Sequence, residues 1–178
     1  MTTDSRWYQK SEMLVAMSAL LVSFVAVVVA VYSAWIDRSF ARASTWPFIE
    51  VFRSFDATSL EFGVANRGTG PALVRYAVLE HNGTAYATWG EWLDAEFKMP
   101  ETGFTQSHIS RRVLSPDQDL DVFVLKDAAL AREIIRSGEI SVTLCYCSVY
   151  DECWITGRDN QPNPIGSCDA LPPKPFKQ

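Results

Sequence analysis

Four cysteines are the residues of this sequence best suited to chemistry, and all lie towards its C-terminal end: Cys145, Cys147, Cys153 and Cys168. An even number of cysteines crowded into one part of a small domain is typical of a disulfide framework. A bond between Cys145 and Cys147 would close a strained loop within an extended segment, which disfavours that pairing. We favour Cys147 with Cys153 and Cys145 with Cys168. The other remaining connectivity, Cys145 with Cys153 and Cys147 with Cys168, stays open.

Zinc or free thiols are the alternatives to disulfides. Structural zinc sites prefer C-x2-C knuckles, whereas Cys145 and Cys147 form C-x-C in a strand-like segment, and neither His81 nor His108 has a partner at ligand spacing. We therefore expect no metal and no cofactor. Disulfides form in oxidising compartments, so they predict a domain outside the cytoplasm, which in a bacterium is the periplasm.

Acid-base catalysis would need a histidine or a pair of carboxylates. His81 precedes a hairpin turn and His108 lies among serines, so we expect both to be solvated polar positions. The sequence has no G-x-S-x-G, P-loop, metalloprotease or C-x-x-C motif. We expect no catalytic residue. If the protein is an enzyme after all, the candidate acid-base carboxylates are Glu91, Asp94 and Glu96.

A cluster of aromatic residues lies in a long connection between predicted strands: Trp89, Trp92, Phe97 and Phe104. Aromatic side chains dominate the binding energy of many interfaces, and connections often carry function. The cluster is therefore a candidate partner-binding patch. The alternative is a satellite core that caps one end of the domain.

Residues 13–35 form an uncharged apolar segment, MLVAMSALLVSFVAVVVAVYSAW. As a helix rising about 1.5 Å per residue it exceeds the roughly 30 Å hydrocarbon core, which predicts a transmembrane helix in contact with the lipid bilayer. Aromatic residues flank it as in interfacial belts: Trp7, Tyr8, Tyr32 and Trp35. A cleaved signal peptide is the alternative, but this segment is longer than a signal h-region and the nearest A-x-A, at residues 41–43, lies well beyond it. Basic residues flank both ends, so the orientation is undecided.

Small residues recur along the apolar segment at spacings of three and four, which places them on one helix face: Ala16, Ala19, Ser23, Ala26, Ala30 and Ser33. Small side chains let membrane helices approach closely. This set is a candidate helix-association face, which would give a homo-oligomer. The alternative is that alanine and serine are common in any membrane span.

The remainder of the chain is acidic. From Ser44 onward it has 12 Lys or Arg against 18 Asp or Glu, a net charge near −6. Nucleic acid and anionic lipid headgroups are bound through clustered cations, so this composition disfavours both as partners.

Alternating apolar residues predict half-buried strands. Three such sets share one face each: Leu60, Phe62 and Val64; Val74, Tyr76 and Val78; Leu120, Val122 and Val124. Further strands are predicted over residues 48–55, 84–88, 106–113, 140–146 and 153–156.

Turn signals separate these strands. Residues 66–71, NRGTGP, combine two glycines, expected at positive φ, with a proline that blocks ladder pairing. Asn82 and Gly83 predict a two-residue type I′ hairpin. Asp127 can cap a short helix that ends at Gly138.

These elements predict a mainly β fold, in which a transmembrane helix precedes an antiparallel, immunoglobulin-like β-sandwich with one or two short helices. A small closed β-barrel is the alternative. The predicted organisation is an N-terminal tail (1–12), the membrane helix (13–35), a juxtamembrane linker (36–45), the sandwich (46–157) and a proline-rich tail that runs extended over the surface (158–178).

Alternation along the strand from Ile140 puts Cys145 and Cys147 on the face opposite the core. A bond from Cys145 to Cys168 would staple the tail across the outer face of the sheet and contribute about 3 kcal/mol. Reduction is then expected to release the tail before the sandwich unfolds.

Three segments carry a resemblance to known proteins: residues 46–50 (WPFIE), 64–72 (VANRGTGPA) and 145–147 (CYC). The chain resembles uncharacterised bacterial single-pass membrane proteins. Its N-x-G-x-G-P-A segment resembles the strand-turn-strand of bacterial immunoglobulin-like adhesion and scaffold domains. The resemblance implies this fold and a location in the cell envelope.

Together these features predict a non-enzymatic protein of the bacterial inner membrane whose C-terminal domain lies in the periplasm and binds a protein partner or scaffolds an assembly. The main alternative is a membrane effector or sensor with a cytosolic β domain and an oligomerising helix. An enzyme that processes envelope polymers is the second alternative.

Overall fold

The computed structural model describes residues 11–56, 58–99 and 103–178. The chain divides into a helical unit that ends at Ala43 and a second unit from Ser44 to Gln178. In chain order the elements are helix α1 (Ser11–Ser44), strands β1 (Ile49–Phe55), β2 (Leu60–Asn66), β3 (Ala72–His81) and β4 (Thr84–Tyr86), helix α2 (Trp89–Phe97), strands β5 (Phe104–Gln106), β6 (Val113–Leu114) and β7 (Asp119–Leu125), helix α3 (Ala128–Ser137), and strands β8 (Ile140–Cys147), β9 (Cys153–Thr156) and β10 (Asn163–Ile165).

Helix α1 has 34 residues, none of them buried. By length and composition it is long and apolar enough to cross a membrane. At about 1.5 Å per residue it extends over roughly 50 Å. The apolar segment 13–35 lies inside it, and the helix continues through most of the predicted linker 36–45. Trp7 and Tyr8 lie outside the described residues.

The second unit contains two antiparallel sheets. Sheet I has the strand order β1-β2-β7-β5, and sheet II has the order β10-β9-β8-β3-β4, with β6 paired to the start of β3. Residues from both sheets and both short helices share one hydrophobic core, among them Ile49, Phe123, Leu144, Trp92 and Ile134. The prediction of an antiparallel, β-rich domain that follows an apolar helix in the chain is confirmed. The domain contains two separate sheets.

Strand β2 has the predicted faces, since Leu60, Phe62 and Val64 are all buried. A β-bulge overturns the prediction for β3. Its register against β8 shifts between Val74 and Tyr76, which leaves Arg75 as the extra residue. Because an extra residue reverses the alternation, Tyr76 packs on the outer face of sheet II, away from the core.

A second bulge reverses the faces of β7. The register against β2 passes from Asp121 directly to Phe123, which leaves Val122 as the extra residue. Beyond it Phe123 and Leu125 are buried, so the predicted face that included Val124 is wrong.

The strand predicted over residues 106–113 is also wrong, because only its two ends belong to strands, β5 and β6. The segment between them binds the C-terminal tail instead. The Ser110 hydroxyl donates to the Phe176 carbonyl oxygen at 2.7 Å, and the Ser110 amide donates to the Gln178 carbonyl oxygen at 3.2 Å.

Asn66 holds the turn over residues 66–71 with a fully buried amide. Its Oδ1 accepts hydrogen bonds from the amides of Phe48 (3.2 Å) and Gly68 (3.0 Å), and its Nδ2 donates to the carbonyl oxygens of Gly70 (2.8 Å) and Leu114 (3.1 Å). One side chain therefore joins the start of β1, the end of β2 and strand β6.

The two glycines of this turn serve close approach rather than positive φ, which corrects the prediction. Neither has a positive φ. A Cβ at Gly68 would overlap the Phe48 amide nitrogen and the Trp46 carbonyl oxygen, and a Cβ at Gly70 would overlap the Thr45 carbonyl oxygen. Backbone packed against backbone leaves no room for a side chain.

Local signals account for the other turns and caps. Asn82 and Gly83 both have positive φ, 51° and 80°, as a type I′ hairpin requires. Asp127 caps α3 as predicted by accepting from the amides of Ala129 and Leu130. Helix α2 is absent from the prediction, although Thr88 caps it by accepting from the Glu91 amide at 3.0 Å, in a T-x-x-E pattern.

We expect Asn66→Ala to lower the free energy of unfolding by about 3 kcal/mol, because it leaves buried donors and acceptors without partners. Chemical denaturation of the full chain in detergent, followed by tryptophan fluorescence, measures the loss. The matched control is Asn163→Ala, at an exposed asparagine, for which we expect a change within about 0.5 kcal/mol. Equal losses in the two variants would contradict the role of Asn66.

Candidate functional site

Two disulfides lie side by side on the outer face of sheet II. Cys145 is bonded to Cys168 and Cys147 to Cys153, which is the favoured pairing. The four sulfurs form a small buried cluster separate from the main core, with Tyr76 packed against it. As predicted, Cys145 and Cys147 lie on the face opposite the core. Since every cysteine is in a disulfide, none offers the free thiolate that zinc requires.

The C-terminal tail is fastened in a second way that alternation along the strands does not reveal. The Phe176 side chain is only 3% exposed, belongs to the main core, and meets the Trp89 ring edge-on with centroids 5.4 Å apart. The Phe176 amide donates to the Ala77 carbonyl oxygen at 2.9 Å, and Gln178 Oε1 accepts from the Trp89 amide at 3.1 Å. The prediction that the tail runs over the surface is therefore wrong for its end, which completes the core.

An ion pair adds to this attachment. Lys174 Nζ lies 2.6 Å from Glu91 Oε1 at the start of α2. The Lys174 ammonium, followed by the Ala87 amide, lowers the pKa of Glu91 below its usual value. A lowered folded-state pKa contributes stability at neutral pH that is lost as the pH falls through that value. Since both side chains are exposed, the contribution is small.

A buried polar cluster joins β3, α2 and α3. The His81 side chain is 1% exposed, with Ser137 Oγ 3.1 Å from its Nε2 and Glu96 Oε2 3.3 Å from its Nδ1. The prediction that His81 is solvated is therefore wrong, because α2 and α3 cover the end of β3; His108 is exposed as predicted. The order serine, imidazole, carboxylate is the order of a nucleophile, its general base and the group that orients the base.

Tyr86 and Asn82 complete the cluster. The Tyr86 hydroxyl donates to Glu96, and burial, followed by this hydrogen bond, raises the pKa of Tyr86 to about 12. Asn82 Nδ2 donates to the Ser137 carbonyl oxygen at 3.1 Å, and Asn82 Oδ1 accepts from the Glu139 amide at 3.0 Å. These bonds hold the end of α3 against the β3–β4 hairpin.

Two contacts in the cluster fit a structural role better than a catalytic one. The Ser137 hydroxyl also donates to the Ile134 carbonyl oxygen, at 2.7 Å. His81 Nδ1 has no aligned hydrogen bond within the described residues, so it lies near Glu96 without being held by it. The remaining predicted acid, Asp94, is exposed on α2.

The aromatic cluster is mainly core. Trp89 and Trp92 have no exposed surface, so these two indoles present nothing to a partner. Phe97 is half-buried and stacks on the His81 ring with centroids 6.1 Å apart, and Phe104 is half-buried against Phe123 at 5.4 Å. Helix α2 turns the two indoles inward. The prediction treated this segment as a loop and therefore did not place them in the core.

The small-residue face of α1 is exposed along its whole length, comprising Ala16, Ala19, Ser23, Ala26, Ala30 and Ser33. The Ser23 hydroxyl donates to the Ala19 carbonyl oxygen at 2.8 Å, so this hydroxyl is satisfied within its own helix. Self-association of the helix stays a prediction.

Comparison of the chain with models of known protein families and with curated proteins found no match.

We expect the end of the tail to stay docked without the Cys145–Cys168 bond, because Phe176 and its neighbours hold it separately. Carboxypeptidase digestion of the full chain measures this. The double variant Cys145→Ala/Cys168→Ala should stay resistant, whereas Phe176→Ala should be trimmed and lose about 3 kcal/mol of stability. Leu171→Ala, at a side chain 55% exposed, is the control that should behave as wild type. Trimming of the double variant together with resistance of Phe176→Ala would contradict this anchoring.

Proposed function

We propose that this chain is a single-pass membrane protein that presents a disulfide-stapled β domain outside the cytoplasm, where the domain binds a protein partner or scaffolds an assembly. The observation that carries the proposal is the pair of buried disulfides on the outer face of sheet II, one of which, Cys145–Cys168, bonds the C-terminal tail to strand β8. Disulfides of this kind persist in oxidising compartments. The apolar helix before the domain supports the membrane anchor.

The setting that fits these features is the bacterial inner membrane, with residues 13–35 in the lipid bilayer and the β domain in the periplasm. We further propose that the two sheets form an immunoglobulin-like sandwich, as in the bacterial adhesion and scaffold domains that the N-x-G-x-G-P-A turn resembles. Folds of that kind present loops and sheet faces to partners. The alternative is a sensor or effector with the β domain in the cytosol, where the four cysteines would be reduced.

Thiol trapping in cells separates these two topologies. After an acid quench, a maleimide linked to polyethylene glycol should add no mass to the protein, and after reduction it should add four labels, one for each cysteine. The variant Lys126→Cys, at an exposed position, should add one label without reduction and so controls for access. Protease added to spheroplasts should digest the domain. Four labels without reduction, or protection from the protease, would contradict the proposal.

A second candidate function is hydrolysis, favoured by the Ser137, His81 and Glu96 order. In such a reaction the Ser137 Oγ attacks the substrate while His81 Nε2 takes its proton, and Glu96 lies near the other ring nitrogen. A fluorophosphonate probe reports this chemistry, because the serine oxygen bonds to phosphorus and fluoride leaves.

For this candidate we expect the purified wild-type chain to be labelled at Ser137, Ser137→Ala to be unlabelled, and His81→Gln to be labelled more slowly. Ser115→Ala, at another exposed serine, is the matched control and should be labelled as wild type is. Absence of labelling in the wild-type protein would exclude the hydrolase and leave the cluster as the bond between α3 and the β3–β4 hairpin.

A further inference from the structure

A groove crosses the outer face of sheet II between the start of β3, the segment before β6 and the C-terminal tail. Two adjoining hollows form it, of about 420 and 260 Å³. Arg75, Arg111 and Leu171 line both hollows, so the two are continuous. This surface is referred to below as the tail groove.

Cations are concentrated in the tail groove. Arg75, Arg111, Arg112 and Lys177 line it, against the single carboxylate of Asp169. The whole unit from Ser44 has a net charge near −6, so this surface is opposite in sign to the domain that carries it. A local reversal of this kind attracts anionic groups to this surface.

Backbone geometry directs these cations outward. Arg75 is the extra residue of the β3 bulge, and bulges re-aim side chains. Arg111 has a φ of 56°, in the left-handed region that a non-glycine residue rarely adopts. Both side chains are exposed.

Both guanidinium groups are open to an incoming anion. The Arg75 Nη2 lies 3.6 Å from Asp151 Oδ1, a carboxylate that is itself 87% exposed, so this pair is weak and easily exchanged. Arg111 makes no ion pair within the described residues. A guanidinium binds a carboxylate through two parallel hydrogen bonds, which adds both strength and direction.

Apolar side chains lie between the cations. Val113 is 54% exposed and Leu171 is 55% exposed, and both line the groove. Leu171 belongs to the tail that the Cys145–Cys168 bond holds in place, and so one wall of the groove depends on that bond. An apolar centre within a charged rim is the usual anatomy of a protein interface, and arginine is enriched there.

We propose that the tail groove binds a short acidic segment of a partner protein, with an apolar side chain seated between Val113 and Leu171 and carboxylates on Arg75 and Arg111. A uniform polyanion is disfavoured, because beyond the groove it would meet the acidic remainder of the domain and would leave the apolar side chains uncovered. The proposal rests on the proposed binding function and names its surface and the chemistry of its partner.

The test uses the full oxidised chain in zwitterionic lipid nanodiscs and fluorescent peptides of about twelve residues, long enough to cross such a groove. One peptide alternates Glu with Leu, a second alternates Gln with Leu, and a third is polyglutamate. Fluorescence anisotropy measures binding, and empty nanodiscs correct for peptide held by lipid. We expect the Glu/Leu peptide to bind most tightly, with an affinity that falls as salt is raised.

Variants locate the site. Arg75→Ala/Arg111→Ala should weaken binding of the Glu/Leu peptide by about tenfold or more, as expected for lost charge-assisted hydrogen bonds, and Leu171→Ser should weaken it as well. The matched control is Arg132→Ala/Arg136→Ala, which removes two exposed arginines of α3 and should leave the affinity unchanged.

Three results would overturn the inference: no binding of the Glu/Leu peptide, equal binding of the Gln/Leu peptide, or equal binding of polyglutamate. The last would identify the groove as a site for polyanions. Thiol trapping reports separately on the proposed topology. A negative result for peptide binding would therefore contradict the tail-groove proposal without contradicting the membrane-anchored, oxidised domain.

Discussion

The buried amide of Asn66 is the interaction on which the β domain depends. It makes hydrogen bonds with the backbone at the start of β1, in the turn after β2 and in β6. An amide with no access to water is stable only when its donors and acceptors are paired, so the turn over residues 66–71 is held in one conformation. That conformation brings sheet I and sheet II together at one end of the domain and requires glycine where the strands approach.

The last residues of the chain complete the core that the two sheets share. Trp89 packs against Phe123 with ring centroids 4.6 Å apart and meets Phe176 edge-on at 5.4 Å. The tail therefore enters the main core at its end and the disulfide cluster nearer its start. Between these two attachments it forms the wall of the tail groove, so the same covalent and apolar contacts that stabilise the domain also shape its proposed binding surface.

These arrangements fit the proposed binding function better than the proposed hydrolysis. The disulfides and the buried His81 cluster cross-link the domain at two places, and a pre-organised surface lowers the entropy cost of binding. The cluster around His81 has the order of a catalytic triad, but its hydrogen bonds also connect α2, α3 and the β3–β4 hairpin. The tail groove, in contrast, offers exposed charge and apolar surface to a partner.

Local signals in the sequence determined much of this protein. The apolar run of α1, the faces of β2, the Asn82-Gly83 turn and the Asp127 cap depend on neighbouring residues, and each is found as predicted. The strain of a Cys145–Cys147 bond left two cysteine pairings, and the favoured one is the pairing found. Helix α2 had a local signal in its T-x-x-E cap. Only the tertiary structure decided the bulges at Arg75 and Val122, the burial of His81 and the docking of Phe176. Each of these depends on which distant strand or helix packs against the residue, and no local pattern of residue types encodes that choice.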